Sequence, residues 1–209
     1  MTDGTPQPPA DASIEERIQA AADAAEEGRF DDALLLLEQI LIEDPAHVAA
    51  LEQVAEHELE LERYDRAEVA AAQAVELDPT SASGLSTLGQ IRVEKEIWPE
   101  AIDLLQRANK LRGNDPDILR RLGWALFRGG QKPQGVVTME RALNLDPDNT
   151  FVLCDLGVLY LELRNFAKSK ALFTRVQQLD PQNPRAAECL EAVDRLEKLG
   201  GESVRIKPD

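Results

Sequence analysis

The stretch from Leu145-Asp146-Pro147, through Leu153-Cys154-Asp155-Leu156-Gly157-Val158-Leu159-Tyr160, to Leu179-Asp180-Pro181 opens and closes on the same tripeptide. Its two prolines lie 34 residues apart. Leu-Asp-Pro recurs at Leu77-Asp78-Pro79, and Glu43-Asp44-Pro45 is a close variant, with Pro45 and Pro79 again 34 apart. The gap of 68 between Pro79 and Pro147 predicts a further member at position 113, where Gly113, another helix stopper, stands. A fixed period of this length marks a repeat architecture. The units are 14–47, 48–81, 82–115, 116–149 and 150–183.

Within each unit the residue sizes are in register. Position 8 holds Ala21, Ala55, Gly89, Gly123 and Gly157, and position 20 holds Ala33, Ala67, Ala101, Gly135 and Ser169. Position 17, between them, holds Phe30, Tyr64, Trp98, Lys132 and Phe166. Small residues where two helices approach and a large one between them place two antiparallel helices in each unit. Leu119, Leu122, Gly123 and Leu126 follow the i, i+3, i+4, i+7 spacing of an amphipathic helix. Ser13-Ile14-Glu15-Glu16 reads as a capping box. Asp115-Pro116 and Asn183-Pro184 pair a capping side chain with a proline at the first helical position, and Trp98-Pro99 and Lys132-Pro133 read the same way. No segment alternates with period two, so no sheet is expected.

This pattern resembles the tetratricopeptide repeat family over residues 14–183. The best-matched unit runs Leu153, Leu156-Gly157, Tyr160, Phe166, Phe173 and Pro181. Lys132, Gly135, Glu58 and Arg92 depart from it, and local packing is expected to weaken there. The resemblance implies an all-α, right-handed superhelical solenoid of antiparallel helix pairs whose first helices line a concave groove. Residues 13–199 form the repeat domain, closed by a polar capping helix over 184–199 that stops at Gly200-Gly201. Residues 1–12 and 200–209 are expected to be disordered tails.

Helical periodicity turns positions 2, 5, 9, 12 and 13 of each first helix away from the partner helix. In the fourth unit these are Asp117, Arg120, Trp124, Phe127 and Arg128, and in the fifth Phe151, Cys154, Val158, Leu161 and Glu162. The predicted partner-binding groove is therefore Arg120, Trp124, Phe127, Arg128, Phe151 and Val158. Trp124 and Phe151 would be apolar anchors and the arginines would pair an acidic group. The alternative is that the aromatics pack between neighbouring helices and the arginines are a solvated face. A secondary acidic face, Glu52, Glu56 and Glu60, reads first as a solubilising surface and second as a site for a basic segment. Family members that clamp a C-terminal carboxylate use Lys and Asn where this chain has Ile18 and Ala22. That clamp is not expected. Leu35, Leu36 and Ile42 occupy positions that are usually polar, which opens a homodimer contact through the first unit or cover by the N-terminal segment.

The 209 residues carry 23 Lys and Arg against 39 Asp and Glu, a formal charge of −16, which argues against nucleic acid as a partner. Residues 1–81 hold 21 acids and 4 bases, net −17; residues 82–209 hold 18 acids and 19 bases, net +1. No apolar run approaches membrane-spanning length, and the N-terminus has no basic region or apolar core of a signal peptide. Two cysteines, Cys154 and Cys189, build no disulfide framework, so a cytoplasmic location is expected. His47 and His57 have no ligand partner at helical spacing, so neither a metal nor a cofactor is expected, and no catalytic motif is present. The expected function is a non-catalytic scaffold or adaptor that binds a peptide or helix of a partner protein. The alternative is a chaperone or assembly factor that sequesters an apolar segment.

Overall fold

The computed structural model describes residues 12–203. Among them are eleven helices and no strand: α1 (Ile14–Glu26), α2 (Phe30–Glu43), α3 (Val48–Glu60), α4 (Tyr64–Leu77), α5 (Ala82–Glu94), α6 (Trp98–Leu111), α7 (Pro116–Arg128), α8 (Lys132–Leu145), α9 (Thr150–Glu162), α10 (Phe166–Leu179) and α11 (Pro184–Ser203). First helices begin at 14, 48, 82, 116, 150 and 184, a spacing of 34 throughout. The fold class is an all-α helical-repeat solenoid. Contacts divide the chain at Gly113–Asn114 into two compact units. The first unit contains α1–α6 and the second α7–α11. No described helix is long and apolar enough to cross a membrane.

Each first helix stops in the same way. Position 15 is left-handed in every unit: Gly28 (φ 76°), Glu62 (57°), Glu96 (56°), Gly130 (92°) and Arg164 (57°). The next amide then bonds back to the carbonyl of position 11, as in Arg29 N to Ala24 O (2.9 Å) and Gln131 N to Leu126 O (2.8 Å). This six-to-one closure reverses the chain and starts the second helix. Three non-glycine residues accept the conformation at a cost of about 1 kcal/mol each.

First-helix starts are capped by side chains. Ser13 and Glu16 form the capping box, Asp115 accepts from Asp117 N and Ile118 N, and Asn183 accepts from Ala186 N. His47, Ser81 and Asn149 cap α3, α5 and α9 as well. The reading of Trp98-Pro99 and Lys132-Pro133 as caps is corrected. Trp98 and Lys132 are the first helical residues, preceded by Ile97 and Gln131 with no side-chain cap. The polar capping helix runs to Ser203 rather than stopping at Gly200, because a glycine costs a helix only about 1 kcal/mol and does not forbid it. The disorder expected for 1–11 and 204–209 lies outside the described residues.

Three of the departures from the family pattern, Gly135, Glu58 and Arg92, have close partners. Gly135 lets α8 press onto α7: a Cβ there would sit 2.7 Å from Gly123 O and 2.8 Å from Phe127 Cβ. Glu58 is fully buried with Arg66 Nη2 at 2.8 Å, and Arg92 bridges Glu68 and Glu100, each at 2.8 Å. The expectation of weaker local packing at these sites is replaced by cross-helix ion pairs at Glu58 and Arg92 and by closer helix contact at Gly135.

Candidate functional site

In the second unit the first helices α7, α9 and α11 lie side by side. Their register brings charges one period apart into contact. Arg120 Nη1 of α7 donates to Asp155 Oδ2 of α9 at 2.7 Å, and Arg185 Nη2 of α11 donates to Asp155 Oδ1 at 3.2 Å. The Asp155 side chain is 9% exposed and carries one arginine on each oxygen. Further along the face, Arg128 Nη1 donates to Glu162 Oε1 at 3.0 Å.

Aromatic rings lie beside these pairs. The Arg120 guanidinium sits 5.9 Å from the Phe151 ring centre, and Arg128 sits 5.9 Å from that of Trp124. Phe151 is 67% exposed. Trp124 and Val158 are half-buried, and Trp124 packs on a core cluster containing Leu119, Leu156 and Tyr160. The surface is thus an exposed phenyl ring and a half-buried indole between paired charges. Asp117, Asp155 and Glu162 balance Arg120, Arg128 and Arg185.

Phe127 does not belong to this face. It is 1% exposed, buried beside Met139 and Leu159, with Lys132 Nζ 5.2 Å from its ring centre. The reason is angular. At about 100° per residue, position 12 lies only about 40° from position 8, which faces the second helix. Leu59 and Val93, at the same position, are buried too. Cys154, at position 5, is buried, and that burial pushes its thiol pKa up. A raised thiol pKa keeps the sulfur protonated and unreactive near neutrality.

The sequence reading did not place Asp155 and Arg185 on this face, and it named Glu162 as an outward residue without pairing it with Arg128. A signal existed: Asp155 follows Arg120 by 35 residues and Glu162 follows Arg128 by 34, opposite charges one period apart. In the first unit, Glu52, Glu56 and Glu60 all lie on α3, with Glu56 and Glu60 exposed. Glu52 is half-buried and accepts a hydrogen bond from Ser81 Oγ. Leu36 is only 9% exposed, so it belongs to the core, whereas Leu35 (58%) and Ile42 (80%) are open. Among the described residues no group of three or more His, Cys, Asp or Glu could hold a metal ion.

Comparison with known proteins agrees with this architecture. Three family models described as tetratricopeptide repeat match residues 24–91, 117–149 and 152–183. No curated protein matches the chain in sequence. Among solved structures, TTC0263, a thermophilic TPR protein of Thermus thermophilus, superposes with a TM-score of 0.75 at 19% identity. That match covers 87% of this chain and 98% of the other. YrrB, described as a TPR protein with an unusual peptide-binding site, gives 0.57 at 20% identity, covering 86% and 92%. MamA gives 0.58 at 22% identity, covering 78% and 95%.

Proposed function

Since the chain is a tetratricopeptide-repeat protein, we propose that it is a non-catalytic interaction scaffold whose α7–α9 face receives a peptide or helix of a partner protein. The observation that carries this is Phe151, a phenyl ring 67% exposed beside half-buried Trp124 and Val158. An exposed aromatic held against a rigid helix face is the kind of residue that dominates interface energy. YrrB, similar in fold, is described as having a peptide-binding site, which supports a peptide as the class of ligand.

Within this reading the apolar contact leads and the charges follow. Arg120 and Arg128 are each paired inside the protein, with Asp155 and Glu162. A partner carboxylate would have to displace those partners, whereas an apolar side chain need only cover Phe151 and Trp124. The same pairing favours the second reading, a factor that sequesters an apolar segment of a client. The acidic α3 face of Glu52, Glu56 and Glu60 is assigned to solubility.

The test is capture of partners from lysate of the source organism by wild type and by Phe151→Ser, at about 0.1 M and about 0.5 M salt. Arg120→Glu is a poor probe, because it would set a second carboxylate against Asp155. Partners lost by Phe151→Ser and retained at high salt support the proposal, since apolar contacts are not screened. Partners held equally by both proteins remove this face as the site. Partners lost at high salt but indifferent to Phe151 return the arginines to the lead.

A further inference from the structure

The second helices of the first unit carry a different surface. Between α2 and the start of α4 lies an open cleft of about 260 Å³, lined by Asp31, Leu34, Leu35, Glu38, Arg63 and Arg66. Leu34 is buried and forms the floor, while Leu35 is 58% exposed and forms a wall. One helical heptad beyond Leu35 stands Ile42, 80% exposed, and Val69 of α4 is 68% exposed. Three large aliphatic side chains are therefore open to water on two neighbouring helices.

The charges around the cleft are unbalanced. Arg63 donates to Asp31 at 3.0 Å and Arg66 to Glu38 at 2.9 Å. Behind them the fully buried Glu58 holds Arg66 at 2.8 Å and Arg63 at 3.6 Å. Three carboxylates thus share two guanidiniums. The Asp31 and Glu38 side chains remain 73% and 48% exposed. More widely, α2 carries four acids and no base, and α4 three acids and one base.

We propose that this cleft is a second docking surface, and that its occupant is a basic amphipathic segment of a partner protein. A lysine or arginine of that segment would lay its aliphatic stem on Leu35 and set its charged head against Asp31 and Glu38. Apolar side chains on the following turn would cover Ile42 and Val69. Charge complementarity selects this occupant over a second copy of the chain. A copy would bring its own acidic half, residues 1–81 at net −17, against the same surface. The surface differs from the α7–α9 face in its helices and in the charge of its ligand.

The test uses a fluorescein-labelled 18-residue helical peptide of leucine and lysine in amphipathic spacing, with a leucine–glutamate peptide of the same pattern as control. Binding is followed by anisotropy for wild type, Leu35→Ser, Asp31→Asn and Phe151→Ser, each checked for unchanged thermal unfolding. All three positions are exposed, so the folds should hold. The expected result is saturable binding of the lysine peptide only, weakened about tenfold or more by Leu35→Ser, in line with burial of a leucine side chain. Asp31→Asn weakens it severalfold and Phe151→Ser leaves it unchanged. No binding by wild type overturns the proposal. Binding indifferent to Leu35→Ser also overturns it, leaving general attraction to an acidic protein. Loss on Phe151→Ser instead moves the peptide to the α7–α9 face. Sedimentation showing a wild-type dimer that Leu35→Ser dissociates would assign the surface to a second copy and refute the basic partner.

Discussion

Replacing Arg120 and Asp155 by alanine, singly and together, measures whether the pair between α7 and α9 is part of the framework. The nitrogen and oxygen are 2.7 Å apart and the side chains are 23% and 9% exposed. Two unit charges with centres about 4 Å apart attract by roughly 4 kcal/mol at an effective dielectric near 20. Removing both from water offsets about half of that, leaving a coupling of about 2 kcal/mol, the usual range for hydrogen bonds to charged groups. The Arg128–Glu162 pair has nearly the same geometry, 3.0 Å, but its side chains are 39% and 36% exposed. Its coupling should be about 0.5 kcal/mol or less. Asp155→Ala should cost more than Arg120→Ala, since it also releases Arg185. The assay is urea unfolding in a Trp98→Phe background, where Trp124 fluorescence reports the second unit. A double-mutant cycle isolates each pair, and the Arg120 contact with the Phe151 ring cancels because both legs remove it. Coupling below about 0.5 kcal/mol for Arg120–Asp155, or equal coupling for both pairs, would refute the reasoning. Arg120 would then be free to pair outward, and the charge-led view of the α7–α9 face would return.

Phe127→Ala should destabilise by about 3–5 kcal/mol, because the ring is 1% exposed and its removal leaves a cavity in the core. Phe151→Ala, on the exposed face, should cost under about 0.5 kcal/mol in the same urea titration. Equal costs would contradict the burial of Phe127. For pH dependence, burial lowers the pKa of His57 below its ordinary value of about 6.5, with Glu56 pulling weakly the other way. The unfolded chain therefore binds a proton at higher pH than the folded one. Stability is complete above about 6.5 and falls as pH drops from there toward the folded value. The carboxylates held low by basic partners, such as Glu68 beside Lys95 and Arg92, lose their contribution only at lower pH. The melting temperature should thus decline as pH falls below about 6.5 in wild type and decline less in His57→Phe. Identical declines would assign the acid sensitivity elsewhere.

The helix count, the start of every first helix and the pairing within repeats are determined by sequence alone. The reason is steric: small residues at positions 8 and 20, a stopper every 34 residues and capping side chains act locally, so they can be read without knowing what lies across the interface. The outward placement of Trp124, Phe151 and Val158 was legible for the same reason, since helical periodicity turns those positions away from the second helix. Three things were decided by tertiary structure. Phe127 is core because position 12 lies at the edge of the buried arc, and the close approach of α8 at Gly135 brings α8 against it. Arg120 and Arg128 are paired within the protein because the register of α7 on α9 brings Asp155 and Glu162 within hydrogen-bond distance. Leu35 and Leu36, neighbours in an unbroken apolar run, part company because only the rotation of α2 against its neighbours sends one to water and the other to the core. A one-dimensional pattern specifies which residues share a face. How wide that face is, and which charges find each other across it, depends on distances between helices that only packing sets.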